Sequence, residues 1–268
     1  MPIAFVIYHT DLSEKGVEAI GSTYPATFKL DWPKRWKELQ KSFLPHIPEY
    51  IDLLFQSTRL CHPDCKCVVL TDRSTSLSLS ETIEMHRYDL DRDKPAYMRL
   101  LAQRQYLEEA EPSFHILFLD YDMLVQSNLE DITQKEFDVA LTHELAYNRI
   151  NGSFIMIHAE RLEKGKHYFD HIKRQFHAQF SRYQAWGGVE AAMNAFLQAE
   201  KAAIGGKEIH EVEGIRLMIL PCEVYNYPYI QPGVLDFPGY FPDKKILHFR
   251  GARKEGMFAY WNTYLKPR

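Results

Sequence analysis

Residues 116–122 read Ile-Leu-Phe-Leu-Asp-Tyr-Asp, an apolar run followed by two carboxylates spaced one residue apart. The apolar run is typical of a buried strand, and charge at the end of such a strand does little for stability. Because side chains alternate along a strand, Asp120 and Asp122 can leave the sheet on the same side. Two hard oxygen ligands side by side suit a divalent ion, which would in turn hold a diphosphate. A solvated turn after a strand is the simpler interpretation.

The composition is that of a soluble globular protein. The chain has 268 residues, of which 46% are hydrophobic and 25% charged, enough for one α/β domain with a sizeable core. A formal net charge of -4 argues against a nucleic-acid or membrane-surface binder, so we expect a small-molecule partner. No run approaches the roughly 20 apolar residues of a membrane span, and the N-terminus lacks the features of a signal peptide. We therefore expect a cytoplasmic protein without a transmembrane segment.

Residues 61–67, Cys-His-Pro-Asp-Cys-Lys-Cys, combine three thiols with an imidazole. This composition invites a zinc site. Zinc sites usually pair two close ligands with a distant second pair, whereas Cys67 leads directly into an apolar strand. Cysteines flanking a buried strand are therefore the simpler interpretation, and we expect reduced thiols.

Apolar runs alternate with helical patterns along the first half of the chain. They predict strands at 2–8, 66–71 and 115–120, with helices around 34–57 and 94–110. This order predicts βαβ crossovers and a mostly parallel sheet flanked by helices. Ligands of such sheets bind beyond the carboxyl ends of the strands, where the strand order switches. The acidic pair follows one of these ends.

The second half continues the pattern with strands at 137–142 and 151–158, and with helices at 159–180 and 189–202. Gly152, near the start of one strand, leaves room for a ligand to approach the backbone. An irregular C-terminal loop region follows, in which prolines and glycines predict a lid or binding loop before a last strand. The loop region spans 221–242 and the last strand 245–249.

Basic residues occur both before the acidic pair and after the last predicted strand. Arg99 would lie near the start of the 94–110 helix and can fork onto phosphate or onto the acidic pair, although an exposed helix arginine is the common case. His248 leaves the last strand and is followed by Gly251 and Lys254. An imidazole with two carboxylates makes a ligand set for Mn2+, and the glycine and lysine can cradle phosphates. The alternative is a strand-end histidine with a solvated basic tail.

Several segments between residues 94 and 254 follow one another in a set order. They are Tyr97-Met98-Arg99, Leu119-Asp120-Tyr121-Asp122, Asn151-Gly152-Ser153, Leu220-Pro221 with Asn226, and His248-Phe249-x-Gly251-x-x-Lys254. Their order and rough spacing resemble the retaining glycosyltransferases of family 8. The joint order is far more specific than any one motif. The resemblance implies a GT-A fold, Rossmann-like nucleotide-diphospho-sugar transferase, with a single domain over residues 1–268.

The resemblance also implies roles. Asp120, Asp122 and His248 would hold Mn2+ or Mg2+, with the metal bridging the two phosphates of the donor. Asn151 and Gly152 would face the sugar or the acceptor. The implied donor is a UDP-hexose, and the acceptor is a carbohydrate, a lipid-linked sugar or a protein side chain. The residues implied in donor binding are Tyr8, His9, Thr10, Arg99, Asp120, Tyr121, Asp122, Gly152, Gly251 and Lys254.

One segment departs from the family pattern. Residues 189–194 read Val-Glu-Ala-Ala-Met-Asn where the family carries Asp-Gln-Asp and then Asn, so Glu190 replaces the glutamine and both flanking acids are missing. Glu190 would act as a nucleophile on the anomeric carbon or as a base on an acceptor hydroxyl. With Arg99 and Asn151 it completes the implied catalytic set. Otherwise Glu190 simply favours the N-terminus of its helix, and retention stays open.

Two other classes of function remain. Haloacid-dehalogenase-like phosphatases also carry Asp-x-Asp after an apolar strand, but near the chain start, whereas a βαβ region precedes the motif here. A non-catalytic sugar- or nucleotide-binding relative would also suit the 16 tyrosines and 4 tryptophans, although aromatic residues are ordinary core material. The complete set of metal ligands favours an enzyme.

Overall fold

The computed structural model describes residues 1–23, 34, 37, 41, 44–185, 187–197, 208–228 and 239–267. Within these residues the longer helices and all strands follow one another in chain order. They are β1 Ile3–Tyr8, α1 Glu14–Thr23, α2 Ile47–Cys61, β2 Lys66–Asp72, β3 Glu84–Tyr88, α3 Pro95–Glu109, β4 His115–Leu119, β5 Met123–Val125, α4 Glu130–Thr133, β6 Val139–Glu144, β7 Arg149–Ile157, α5 Leu162–Gln175, α6 Gly188–Phe196, β8 Ile209–Val212, β9 Ile215–Pro221, α7 Cys222–Tyr225, β10 Tyr227–Pro228, β11 Ile246–His248 and α8 Glu255–Tyr260.

The main sheet has eight strands in the order β3-β2-β1-β4-β7-β6-β9-β8. The strands from β3 to β4 all pair in parallel, as do β6 and β9, whereas β7 and β8 run against their neighbours. The sheet is therefore mostly parallel, as the sequence predicted. From β1 the chain continues to β2, which lies on one side of β1, and it later forms β4 on the other side of β1. The carboxyl ends of β1 and β4 thus form the switch point at which ligands of such sheets bind.

Both faces of the sheet are covered. Alternate residues of each central strand face opposite sides, so that Phe5 joins one hydrophobic cluster and Val6 the other. The first cluster includes the buried side of α2, and the second includes α3, α5 and α6. All five residues of β4 are buried, which explains why its sequence is apolar without alternation. The acidic pair therefore emerges from a rigid frame.

A second, three-stranded sheet adjoins the main one in the order β10-β11-β5. The expected strand at 245–249 forms β11, which runs antiparallel to β5, the strand that begins directly after the acidic pair. This pairing sets His248 opposite Met123. The small sheet therefore brings the C-terminal motif back to the end of β4.

Several boundaries differ from the sequence expectations. The helix expected at 159–180 is α5, with a 3-10 turn before it and the π-helical turn Phe176–Phe180 after it. The expected 34–57 helix corresponds to α2, which continues to Cys61, and most of its expected start lies outside the described residues. The end of the 189–202 helix also lies outside them, as do Trp186 and residues 229–238 of the expected lid. Along the described segments, no helix is long and apolar enough to cross a membrane.

Candidate metal and donor site

Asp120, Asp122 and His248 meet at the carboxyl end of β4. Nε2 of His248 lies 3.3 Å from Oδ1 of Asp122 and 3.9 Å from Oδ2 of Asp120. The ligand atoms of the three side chains all lie within 4.8 Å of one another, and no other group of three His, Cys, Asp or Glu does so in the described part of the chain. The structure thus brings together the three residues that the sequence predicted as metal ligands.

The hydrogen bonds of Asn226 orient the ring of His248. Nδ2 of Asn226 donates to Oγ1 of Thr142 at 3.0 Å and to Oδ1 of Asn151 at 2.9 Å, so that Oδ1 of Asn226 faces Nδ1 of His248 at 2.9 Å. Because this oxygen can only accept, Nδ1 is the donor in this contact, and Nε2 is the nitrogen that points toward the carboxylates. Nε of Arg250 donates toward the same Nδ1 at 3.2 Å and therefore competes with Asn226 for it. A metal ion bound at Nε2 would need Nδ1 to keep its proton, the state that the contact with Asn226 favours.

Asp120 is held from two sides. Nη1 of Arg99 lies 2.5 Å from Oδ1, and Oγ of Ser153 donates to Oδ2 at 2.6 Å. Arg99 begins the second turn of α3, whose first position is a proline, and its Nη2 also donates to the carbonyl of Gly152 at 2.8 Å. The guanidinium therefore joins the acidic pair to the start of β7, the arrangement that the sequence offered as one of two possibilities.

Asp122 is almost fully buried and is paired with a lysine. Its Oδ2 accepts a hydrogen bond from Nζ of Lys254, and its backbone carbonyl accepts one from the amide of Phe249 at 2.8 Å. Burial acts to raise the pKa of Asp122, but the charges of Lys254 and His248 outweigh burial and hold this pKa well below its usual range. The carboxylate is therefore ionised and ready to bind a cation.

Gly251 lies between the histidine and the lysine and adopts a φ of +62°. This left-handed conformation favours glycine. Apart from Gly251 itself and its two chain neighbours, no described residue has an atom within 4 Å of the point where a Cβ would stand. The backbone is therefore open to close approach by a ligand, as phosphate binding requires.

Tyr8, which ends β1, and the next two residues lie beside the acidic pair. The ring of His9 packs edge-on against Tyr121, with the ring centroids 5.6 Å apart. Oγ1 of Thr10 donates to Oδ2 of the buried Asp72 at 2.6 Å, which ties the end of β1 to the end of β2. Burial raises the pKa of Tyr8 well above its usual value. Tyr8, His9 and Thr10 thus lie at the switch point, and their role in nucleoside binding stays a prediction.

Asn151 and Glu190 lie on the β7 side of the site. Oδ1 of Asn151 accepts bonds from the amide of Ser153 at 3.0 Å and from Asn226, so that this buried side chain braces the site. Glu190 is in the first turn of α6 and accepts a hydrogen bond from the backbone of Gly152. Burial raises the pKa of Glu190, with Arg149 opposing the shift. The catalytic roles of Asn151 and Glu190 stay predictions.

A charged network that the sequence did not predict lies next to these residues. Nε and Nη2 of Arg149 both donate to Oε2 of Glu144 at 3.0 Å, and Nη1 of Arg250 donates to Oε1 of Glu144 at 3.4 Å. Glu144 ends β6, and such a strand-end acid was the only sequence signal for the network. The two arginines connect His248 to the turn between β6 and β7.

No family model and no curated protein matches the sequence. Solved structures do match over almost the whole chain. The galactosyltransferase LgtC, crystallised with donor and acceptor sugar analogs, aligns with a TM-score of 0.52 and 10% identity over 99% of this chain and 98% of its own. An active-site mutant of LgtC aligns with a TM-score of 0.51, 10% identity and the same coverage.

The apo form of the glycosyltransferase GlyE of Streptococcus pneumoniae TIGR4 is also similar. It aligns with a TM-score of 0.50 and 9% identity, covering 94% of this chain and 55% of the GlyE chain. At such identities the likeness is one of fold. The α/β, GT-A-like fold expected from the sequence is therefore confirmed, and it is shared with these glycosyltransferase structures.

Proposed function

We propose that this protein is a metal-dependent glycosyltransferase that moves a hexose from a UDP-sugar to a hydroxyl group of an acceptor, with retention of configuration. One observation carries the proposal. The ligand atoms of Asp120, Asp122 and His248 converge at the switch point of a glycosyltransferase-like sheet. LgtC, which shares the fold, is a galactosyltransferase crystallised with donor and acceptor sugar analogs, and this supports a similar reaction here.

The three side chains fit Mn2+. Two carboxylates with an imidazole are a mixed oxygen and nitrogen set, whereas Mg2+ prefers oxygen ligands alone. The bond from Asn226 already orients His248 with its free nitrogen toward the carboxylates. When bound, the ion would supply Lewis-acid stabilisation of the diphosphate. Asp120 and Asp122 would be its oxygen ligands.

The remaining residues would bind and orient the donor. Lys254 lies beside Asp122, where its positive charge would offset the charge that develops on the departing diphosphate. Gly251 would let a phosphate approach its backbone. Arg99 fixes Asp120 and reaches the backbone of Gly152, on the side where the sugar would lie. Tyr8, His9, Thr10 and Tyr121 would surround the nucleoside.

Glu190 would lie on the acceptor side of the sugar. Its carboxyl is bound to the backbone of Gly152, the same residue whose carbonyl accepts from Arg99. Glu190 therefore contacts the same residue of β7 that Arg99 links to Asp120. From there Glu190 would serve as nucleophile on the anomeric carbon or as base on the acceptor hydroxyl.

The direct test is release of UDP from UDP-glucose and UDP-galactose, with and without Mn2+. We expect turnover of one sugar nucleotide that requires Mn2+ and falls about 1000-fold in Asp122→Asn, since metal stabilisation of the transition state amounts to several kcal/mol. Asp243→Asn is the matched control, because Asp243 is an exposed aspartate paired with its neighbour Lys244. Equal turnover in both variants, or turnover without any divalent metal, would contradict the proposal.

A further inference from the structure

The turn between β6 and β7 exposes two large apolar side chains. Leu145 and Tyr147 are 73% and 69% exposed, the highest values among the large hydrophobic residues that the structure describes. They lie in the 3-10 turn that connects Glu144 to Asn148. Single exposed apolar residues are common on protein surfaces, but two of them within one turn are candidates for a binding surface.

This turn projects from the edge that carries the metal site. β7 runs antiparallel to β4, with Phe154 opposite Leu119, and Oγ of Ser153 binds Asp120. Residues on the N-terminal side of Ser153 therefore continue beyond the end of β4. Thr142 pairs with Asn151 and Glu144 with Arg149, so at roughly 3.3 Å per residue the start of β7 lies about 7 Å beyond Asn151. The turn lies past that point, so its tip is continuous with the site and beyond it along β7.

Hydrogen bonds hold the turn in one shape. Oδ1 of Asn148 lies 3.1 Å from Nε2 of His143, and the amide of Asn148 donates to the carbonyl of Leu145 at 3.1 Å. Asn148 adopts a φ of +46°, a conformation that asparagine tolerates better than most residues. The guanidinium of Arg149, itself bound to Glu144, lies 5.0 Å from the centre of the Tyr147 ring. The turn is therefore preorganised, which lowers the entropic cost of binding.

We propose that Leu145 and Tyr147 form a stacking platform for a sugar ring of an extended carbohydrate acceptor, at least one ring removed from the hydroxyl that is glycosylated. The proposal rests on the proposed function and specifies the acceptor class. A pyranose ring has an apolar C–H face and a polar rim, which matches an aromatic ring bordered by hydrogen-bonding groups. Arg149, whose guanidinium lies over the Tyr147 ring, and Asn148, the next residue after Tyr147, would supply those groups.

The chemistry of the turn disfavours a lipid tail. Among the described residues of the turn, the exposed apolar area comes from two side chains, and it is bordered by Glu144, Asn148 and Arg149. An acyl chain would need a longer continuous apolar surface to repay the desolvation of those polar groups. A pyranose needs no more than one ring face and a few hydrogen bonds.

The test is binding to an immobilised glycan array in the presence of Mn2+ and UDP. The wild-type protein is compared with Tyr147→Ala, Tyr147→Trp and the matched control Tyr240→Ala, since Tyr240 is also exposed, at 45%, but packs beside Tyr264. We expect wild type, Tyr147→Trp and Tyr240→Ala to bind a set of oligosaccharides of three or more rings. Tyr147→Ala should bind the same set about 10-fold more weakly, with unchanged affinity for UDP.

Three results would overturn the platform. They are equal glycan binding by Tyr147→Ala and wild type, an equal loss in Tyr240→Ala, and no oligosaccharide binding by the wild type. If light scattering also shows a dimer that Tyr147→Ala converts to a monomer with unchanged glycan binding, the patch is a surface between two copies of the chain. Failure of the proposed function differs, because Mn2+-dependent binding of UDP would then be absent in all four proteins.

Discussion

Two regions of this molecule contain clusters of side chains of the kinds that bind metal ions. The two regions differ in how those side chains are held. At the end of β4, each ligand has an outer partner: Arg99 for Asp120, Lys254 for Asp122 and Asn226 for His248. In the segment 61–67 the ligands are adjacent in sequence but turn to different neighbours. Sγ of Cys61 donates to the carbonyl of Val125 at 3.7 Å, and the His62 ring packs against Phe5, 5.4 Å between centroids.

The two thiols that stay close in the second region are those of Cys65 and Cys67, with their sulfur atoms 4.0 Å apart. Cys65 immediately precedes β2, and Cys67 is the second residue of that strand and is buried among apolar residues. A high density of ligand-type residues along the chain is therefore a poor guide to a metal site. Convergence of ligand atoms, each oriented by an outer hydrogen bond, is the better criterion for a metal site.

The largest expected effect comes from removing one ligand in each region. We expect His248→Ala to lower Mn2+-dependent UDP release from the UDP-sugar about 1000-fold, since the metal would lose its only nitrogen ligand. Cys65→Ala should change the same rate less than about twofold, as expected for a thiol remote from the reacting atoms. Comparable losses in both variants, measured at saturating Mn2+, would remove the distinction between the two regions.

A smaller effect is expected from an outer partner. Asn226→Ala should weaken Mn2+ binding by roughly 10- to 100-fold, because Nδ1 of His248 then loses the acceptor that orients its ring. Asn226→Asp keeps an acceptor oxygen and should recover most of the affinity. Electron paramagnetic resonance of free Mn2+ measures both, and an unchanged affinity in Asn226→Ala would show that the bond does not orient the ligand.

The pKa values of two carboxyls in the site are shifted in opposite directions, upward for Glu190 and downward for Asp122. The stability contributions of the two carboxyls should therefore depend on pH in opposite ways. Burial raises the pKa of Glu190 above its ordinary value of 4.5, so the folded protein binds this proton more tightly than the unfolded chain does. The free energy of unfolding therefore falls as the pH rises from the pKa of Glu190 in the unfolded chain through its higher pKa in the folded protein. We expect Glu190→Gln to have a higher Tm than wild type at pH 7 and no such advantage at pH 4, together with lower transferase activity.

Two variants of Glu190 separate a catalytic role of its carboxyl from a role in packing. Glu190→Ala is the companion variant, because it removes the same charge but also the hydrogen bond to Gly152. Scanning calorimetry at the two pH values gives the comparison directly. A wild type that is more stable than Glu190→Gln at pH 7 would show that Arg149 outweighs burial.

The smallest effect concerns the thiol region itself. The double variant Cys61→Ser, Cys65→Ser should bind as much zinc as wild type after dialysis and lose only about 1 kcal/mol of stability, the usual scale for modest changes at half-buried positions. Elemental analysis and chemical unfolding measure the two quantities. Stoichiometric zinc in the wild type that disappears in the variant would make segment 61–67 a metal site after all.

The sequence predicted the frame of the site because its signals are local. β4 and α3 stand out by apolar run and helical period, and the acidic pair follows β4 directly. The edge strands β3 and β8 were missed, since their residues are largely polar or half exposed and show no continuous apolar run. The reversed direction of β7 was also missed.

The remaining features depend on contacts between distant parts of the chain. His248 reaches Asp122 only because β11 pairs with β5, and no local pattern encodes that pairing. The resemblance to a known family supplied the association instead. The network of Glu144, Arg149 and Arg250 gave no periodic signal in the sequence. Charged residues are common both at strand ends and in loops, so these three did not stand out.

The central claim is that a metal held by the acidic pair binds the diphosphate of the donor. Calorimetric titration of UDP into wild type and Asp122→Asn, each with and without Mn2+, tests it most directly. The account predicts binding to the wild type that strengthens at least about 10-fold with Mn2+ and a variant that gains nothing from the metal. Equal UDP affinity in all four titrations, or no binding in any of them, would contradict the assignment of this site.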